Sequence, residues 1–145
     1  MSLYKNVLLA LELAPETDTQ LIQKAQDIVQ KCNAQLTLLH VVEHMVSFGA
    51  AYSMPAGIEI EEELIKAAKE AMQDLGRQLA VPLNQQIVKS GAAKQVIDAE
   101  AKNLGVDLII VGSHGRHGVR LLLGSTANAI LHGAHCDVLA VRIKE

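Results

Sequence analysis

The chain has 145 residues, half of them hydrophobic and 20% charged, with a formal net charge of −3. At roughly 100–200 residues per domain, residues 1–145 form one domain with enough apolar side chains for a sizeable core. A weakly acidic chain with 2% aromatic residues and no Trp has neither a basic field for nucleic-acid phosphates nor a stacking platform for single strands, so nucleic acid is not an expected partner.

Val7-Leu8-Leu9-Ala10-Leu11 is an unbroken apolar run of strand length. Continuous rather than alternating apolarity points to a strand buried on both faces, as in a parallel sheet. Pro15 breaks the run, and Thr17-Asp18-Thr19-Gln20 fits a capping box. Leu21, Ile22, Ala25, Ile28, Val29 and Cys32 then recur at helical spacing up to Asn33-Ala34. Leu36 to Val42 is the second strand. Glu43 to Gly57 lacks any period and reads as a long loop, a length that in compact domains often carries function.

Glu59 to Ala80 is a second amphipathic helix, with Glu59, Glu61, Glu62 and Glu63 suited to the positive end of its dipole. Pro82 ends it. Leu83 to Val88 is a shorter, more polar strand suited to a sheet edge. Ala93 to Leu104 is the third helix, with Gly105 as its C-terminal cap. Val106 to Val111 is the most apolar strand. A glycine-rich segment, Gly112 to Gly118, follows it. Gly124-Ser125-Thr126 opens a helix that runs to about His132, and Asp137 to Ile143 is the last strand.

Strands alternating with helices imply βαβ units. The expected fold is α/β: one open five-stranded, mostly parallel sheet with helices on both faces. Cys32 and Cys136 are too few and too separated for a disulfide framework, and read as free thiols of a reducing cytoplasm. The N-terminus lacks a signal-peptide core, and no apolar stretch reaches the roughly 18 residues that span a bilayer. A cytoplasmic protein with no membrane partner is the expectation.

Open parallel sheets take ligands beyond the carboxyl ends of their strands, where strand order reverses. The residues after the first strand and the glycines after the fourth are specialised for such a place. Gly112, Gly115 and Gly118 permit close backbone approach, and the N–H groups that open the helix at Gly124-Ser125-Thr126 suit an anion. Neither a Walker A loop nor a G-x-G-x-x-G fingerprint is present. On the residues alone, the segment is either another kind of anion cradle or a tight structural loop.

Gly112-Ser113-His114-Gly115-Arg116, followed by Leu121-Leu122-Leu123-Gly124-Ser125-Thr126, resembles the G-x-x-G, nine residues, G-[S/T] signature of the universal stress protein family. The resemblance extends to the opening strand, to Leu38-Leu39-His40-Val41, to Val106–Gly112 and to Cys136–Val141. It implies strand order 3-2-1-4-5 and a homodimer paired through the last strand, Val138, Leu139, Ala140 and Val141. That pairing would also cover an apolar sheet edge.

Some members of the family bind ATP. Carried over, Gly112, His114, Gly115, Gly124, Ser125 and Thr126 would hold the phosphates; by the fork geometry of arginine, Arg116 and Arg120 read either as neutralising phosphate charge or as solvated loop residues, the latter favoured for Arg120. Ala10, Leu11, Glu12 and Val41 would flank the nucleoside. The implied ligand is ATP, accompanied by Mg2+, acting as a regulator. The chain departs from the pattern twice: eight residues separate Gly115 from Gly124, and Glu12 stands where ATP-binding relatives carry Asp.

No catalytic residues are assigned, because the sequence has no G-x-S-x-G elbow and no H-E-x-x-H. No metal site is expected either. The pairs His40/His44, His114/His117 and His132/His135 fall on different elements and lack the four convergent ligands of a structural zinc. His40 reads as a packed strand residue. Besides a nucleotide-binding regulator, the sequence admits a nucleotide-free interaction protein and a weak ATP hydrolase.

Overall fold

The computed structural model describes residues 3–43, 55–113 and 125–143, with backbone alone at 15–17, 55–58 and 125–126. Its elements in chain order are β1 (Asn6–Ala10), α1 (Pro15–Cys32), β2 (Gln35–Glu43), α2 (Pro55–Leu79), β3 (Gln86–Gly91), α3 (Ala93–Leu104), β4 (Leu108–Gly112), α4 (Ser125–Gly133) and β5 (Asp137–Val141). The strands form one sheet in the order β3-β2-β1-β4-β5, every neighbouring pair parallel.

The apolar runs explain this sheet. Successive side chains of a strand point to opposite faces, so a run apolar throughout has to be covered on both. Val7 and Leu9 of β1, Leu38 of β2 and Ile110 of β4 face a core closed by Leu21 and Ala25 of α1 and Met72 of α2. Leu8, Leu39, Ile109 and Val111 face the opposite core, closed by Ile97 and Ala101 of α3 and Ala127 and Ile130 of α4.

Crossover handedness makes the same division. The chain moves outward from β1 to β2 to β3, then returns past β1 to β4 and β5. Right-handed crossovers in opposite directions put their helices on opposite faces. The reversal lies between β1 and β4.

Several element boundaries differ from the sequence reading. Helix α1 opens at Pro15, not at a capping box on Thr17. Ala14 is its N-cap without a side-chain cap, and Pro15 sits in the first turn, where its missing N–H costs nothing. Helix α2 opens at Pro55, so Glu59, Glu61, Glu62 and Glu63 fall past the first turn, which holds no acid. Of the expected Glu43–Gly57 loop, Glu43 ends β2 and residues 55–57 belong to α2; residues 44–54 lie outside the described residues.

Leu83–Gln85 form a 3-10 turn and β3 starts only at Gln86, because pairing with β2 begins at Leu38↔Gln86. Strand β4 starts at Leu108. The two residues before it do other work: the Val106 N–H closes the end of α3 on Ala101 O, and the Asp107 carboxylate accepts the N–H groups of Lys5 and Asn6. Helix α3 and its Gly105 cap, at φ 65°, fall where the sequence places them. Cys32 and Cys136 are free and half-buried. Among the described residues, no helix is long and apolar enough to cross a membrane.

Candidate functional site

At the carboxyl end of β1 the chain makes a turn held from two sides. Leu11 adds one more rung to the sheet, its N–H donating to Leu39 O at 2.8 Å. Its carbonyl, 2.7 Å from His40 Nδ1, accepts the proton that this nitrogen must carry to face a carbonyl. Leu13 then takes a left-handed conformation, φ 61°. Asp18, one turn into α1 and 4% exposed, reaches back. Its carboxylate accepts the Glu12 N–H at 3.3 Å and the Ala14 N–H at 3.1 Å.

Burial raises the Asp18 pKa above the ordinary aspartate value, and the nearby Glu12 charge adds to this. The amides of Glu12, Ala14 and Leu13 pull the other way without cancelling it.

At the end of β4, the Ser113 N–H donates to Val141 O at 2.8 Å, so β4 and β5 stay zipped to the rim. Gly112 lies opposite Val141 in that register. A Cβ built on Gly112 would meet Ile143 at 3.5 and 3.7 Å and Leu21 at 4.0 Å, all ordinary contacts. Its φ is not among the positive values. Neither crowding among the described residues nor backbone conformation requires glycine there.

The structure thus gathers part of the expected set. Ala10, Leu11 and Glu12 end β1, and Gly112 ends the adjacent β4. Val41 stands two residues beyond Leu39, the partner of Ala10, so β2 overhangs the end of β1. Ala10 and Val41 are half-buried on the α3/α4 side. Glu12 is exposed, whereas Leu11 is 5% exposed and its side chain belongs to the α1/α2 core. Leu11 therefore offers the crevice backbone and not side chain. Ser125 and Thr126 open α4, whose amino end carries partial positive charge. His114, Gly115, Arg116 and Gly124 lie outside the described residues, as do the side chains of Ser125 and Thr126.

The amides of Leu11, Glu12, Ala14 and Ser113 are all engaged by the protein itself. None of these four amides is left over for an anion. The β1 side, with half-buried Ala10 and Val41 beside an acid, suits the uncharged, flat part of a ligand.

The sequence reading did not assign Asp18 or His40 to this rim. Asp18 was hidden by its fit to a capping box. His40 looks like any packed strand residue until the Leu11 carbonyl is seen against it. Among the described residues no group of three or more His, Cys, Asp or Glu gathers in a way that would hold a metal.

The universal stress protein family model matches residues 3–142. The chain is 56% identical over 144 residues to universal stress protein A homolog 2 of Coxiella burnetii, covering 99% of each chain. Among solved structures, the universal stress protein UspA from Lactobacillus plantarum superposes with a TM-score of 0.75 at 28% identity, covering 97% of this chain and 98% of that one. A universal stress protein solved in complex with cAMP has a TM-score of 0.60 at 19% identity, covering 97% of each. With a match across nearly its whole length and a relative at this identity, the chain belongs to the universal stress protein family.

Proposed function

We propose that the protein is a non-catalytic regulator that binds an adenine nucleotide, ATP with its Mg2+, in the crevice between the ends of β1 and β4. The observation that carries this reading is Gly112. It is a glycine at a strand end beside the point of sheet reversal, and neither the described neighbours nor its φ account for it. A close backbone approach by a ligand accounts for it. The cAMP complex of a family member supports an adenine nucleotide as the ligand class.

The division of the rim supports one orientation. Base and sugar lie against Ala10, Val41 and the Glu12 turn. The phosphates lie towards Gly112 and the amino end of α4, with His114, Gly115, Arg116, Gly124, Ser125 and Thr126 the expected contacts. Mg2+ would travel with the phosphates and supply charge neutralisation there.

A thermal melt tests this. ATP at 100 times its dissociation constant adds about 2.7 kcal/mol to the native state. Gly112→Ala is expected to melt like the parent without ligand and to lose most of the ATP-induced gain. Gly115→Val and Gly124→Val are expected to abolish it. No gain at millimolar ATP in the parent would turn the reading towards a nucleotide-free interaction protein of the same family. Phosphate release above a protein-free control would overturn its non-catalytic half.

A further inference from the structure

The wall that the β1–α1 turn contributes to the crevice is built around a carboxylate. Four consecutive residues, Leu11 to Ala14, are tied by side chains arriving from two other elements. His40 of β2 donates to the Leu11 carbonyl from one side, and Asp18 of α1 accepts the following amides from the other. The positive φ of Leu13 helps swing those amides into a concave set around the carboxylate, the arrangement that elsewhere receives a bound anion.

Ordinary capping explains the Ala14 bond, a first-turn side chain reaching back to the N-cap N–H, but not the Glu12 bond two residues before the N-cap. A Ser, Thr or Asp at the N-cap would serve the first turn of α1 from the surface. Here the N-cap is Ala14, and the acid sits inside the helix, 4% exposed, with the Glu12 charge close by. Burial opposes the Asp18 charge, and the turn amides it accepts offset part of that cost.

We propose that Asp18 is a positioning residue of the ligand crevice. As an internal anion it occupies the turn amides and, with His40 opposite, sets where the Leu11–Ala14 backbone stands against the ligand. The ligand half of this inference rests on the nucleotide reading above. Among the described residues, the titratable groups around this turn are Glu12, whose charge is close to Asp18, and His40 from β2, which meets the Leu11 carbonyl.

Two measurements on the full chain test it, and the first needs no variant. In proton–nitrogen spectra recorded across the carboxylate range, the Glu12 and Ala14 amide protons should move together with the Asp18 titration. In Asp18→Asn the Ala14 movement should vanish. The second is ATP titration calorimetry. Asp18→Asn should weaken binding by about tenfold or more, the equivalent of one hydrogen bond to a charged group. His40→Phe should act in the same direction, and both variants should keep a single cooperative melt.

Amides that stay still through the titration overturn the inference whatever ATP does. Amides that titrate while Asp18→Asn binds ATP like the parent overturn the positioning role. If the parent takes up no ATP, the nucleotide reading falls, and the spectra alone decide whether Asp18 holds the turn.

Discussion

Burial and backbone hydrogen bonding act on Asp18 in opposite directions, and burial prevails. The native state therefore holds the Asp18 proton more tightly than the unfolded chain does. By linkage, this group favours the folded state most at pH below the ordinary aspartate value. That contribution is lost as pH rises through the raised native value. Across that window the denaturant midpoint of the parent should fall, relative to that of Asp18→Asn, as pH rises. Parallel curves would show that the carboxyl is not displaced. Glu100 of α3, another buried acid at 6% exposed, pairs with Lys89 of β3, so its charge meets a cation, whereas the described groups around Asp18 are backbone amides and the Glu12 carboxylate. At this scale the sequence was least legible. Asp18 and His40 were visible as letters, but their partners are backbone atoms whose positions depend on how β1, β2 and α1 come together.

Between elements, the fit of α2 against β3 accounts for a glycine that helix propensity disfavours. Gly76 lies inside α2, where glycine costs roughly 1 kcal/mol against alanine. A Cβ there would stand 1.9 Å from Gln86 Nε2 and 3.1 Å from Val81 O. That same Nε2 donates to Val81 O at 2.9 Å and ties the start of β3 to the turn that follows α2. Gly76→Ala should therefore destabilise the protein by about 1 kcal/mol in spite of its better propensity, by displacing that hydrogen bond. In a Gln86→Ala background, where that bond is already gone, Gly76→Ala should cost nothing further or stabilise in a chemical melt. A single variant more stable than the parent would show that the Gln86 contact is dispensable. The contrast with Gly105 is instructive, since no atom lies within 4 Å of a Cβ there and only its φ of 65° demands glycine. Gly105 was legible as a helix stop because its reason is local. Gly76 was not, because its reason is a side chain on another element.

For the molecule as a whole, the strand order leaves β3 and β5 at the two sheet edges. Strand β3 carries the exposed Lys89, a charge that discourages pairing with another sheet. Strand β5 carries Val138, Leu139 and Ala140, half-buried, and ends in buried Val141. On that asymmetry we extend the proposal to a homodimer paired through β5. Sedimentation should give twice the chain mass for the parent and the single-chain mass for Ala140→Lys, with unchanged far-ultraviolet dichroism. A monomeric parent would remove the dimer.

The sequence by itself determined the alternation of strands and helices, the two-faced burial of β1 and β4, and the α3–Gly105 unit. Hydrophobic periodicity and backbone conformation are local properties, and they survive being read along a line. It also marked Ala10, Val41 and Gly112 as residues of strand ends. Tertiary structure alone decided that Leu11 turns its side chain into the core, that β3 waits for Gln86, and that a buried acid and a histidine from two elements hold the turn at the end of β1. A backbone amide or carbonyl is satisfied by whatever polar atom the fold brings within about 3 Å, and that proximity is a property of packing, not of spacing along the chain.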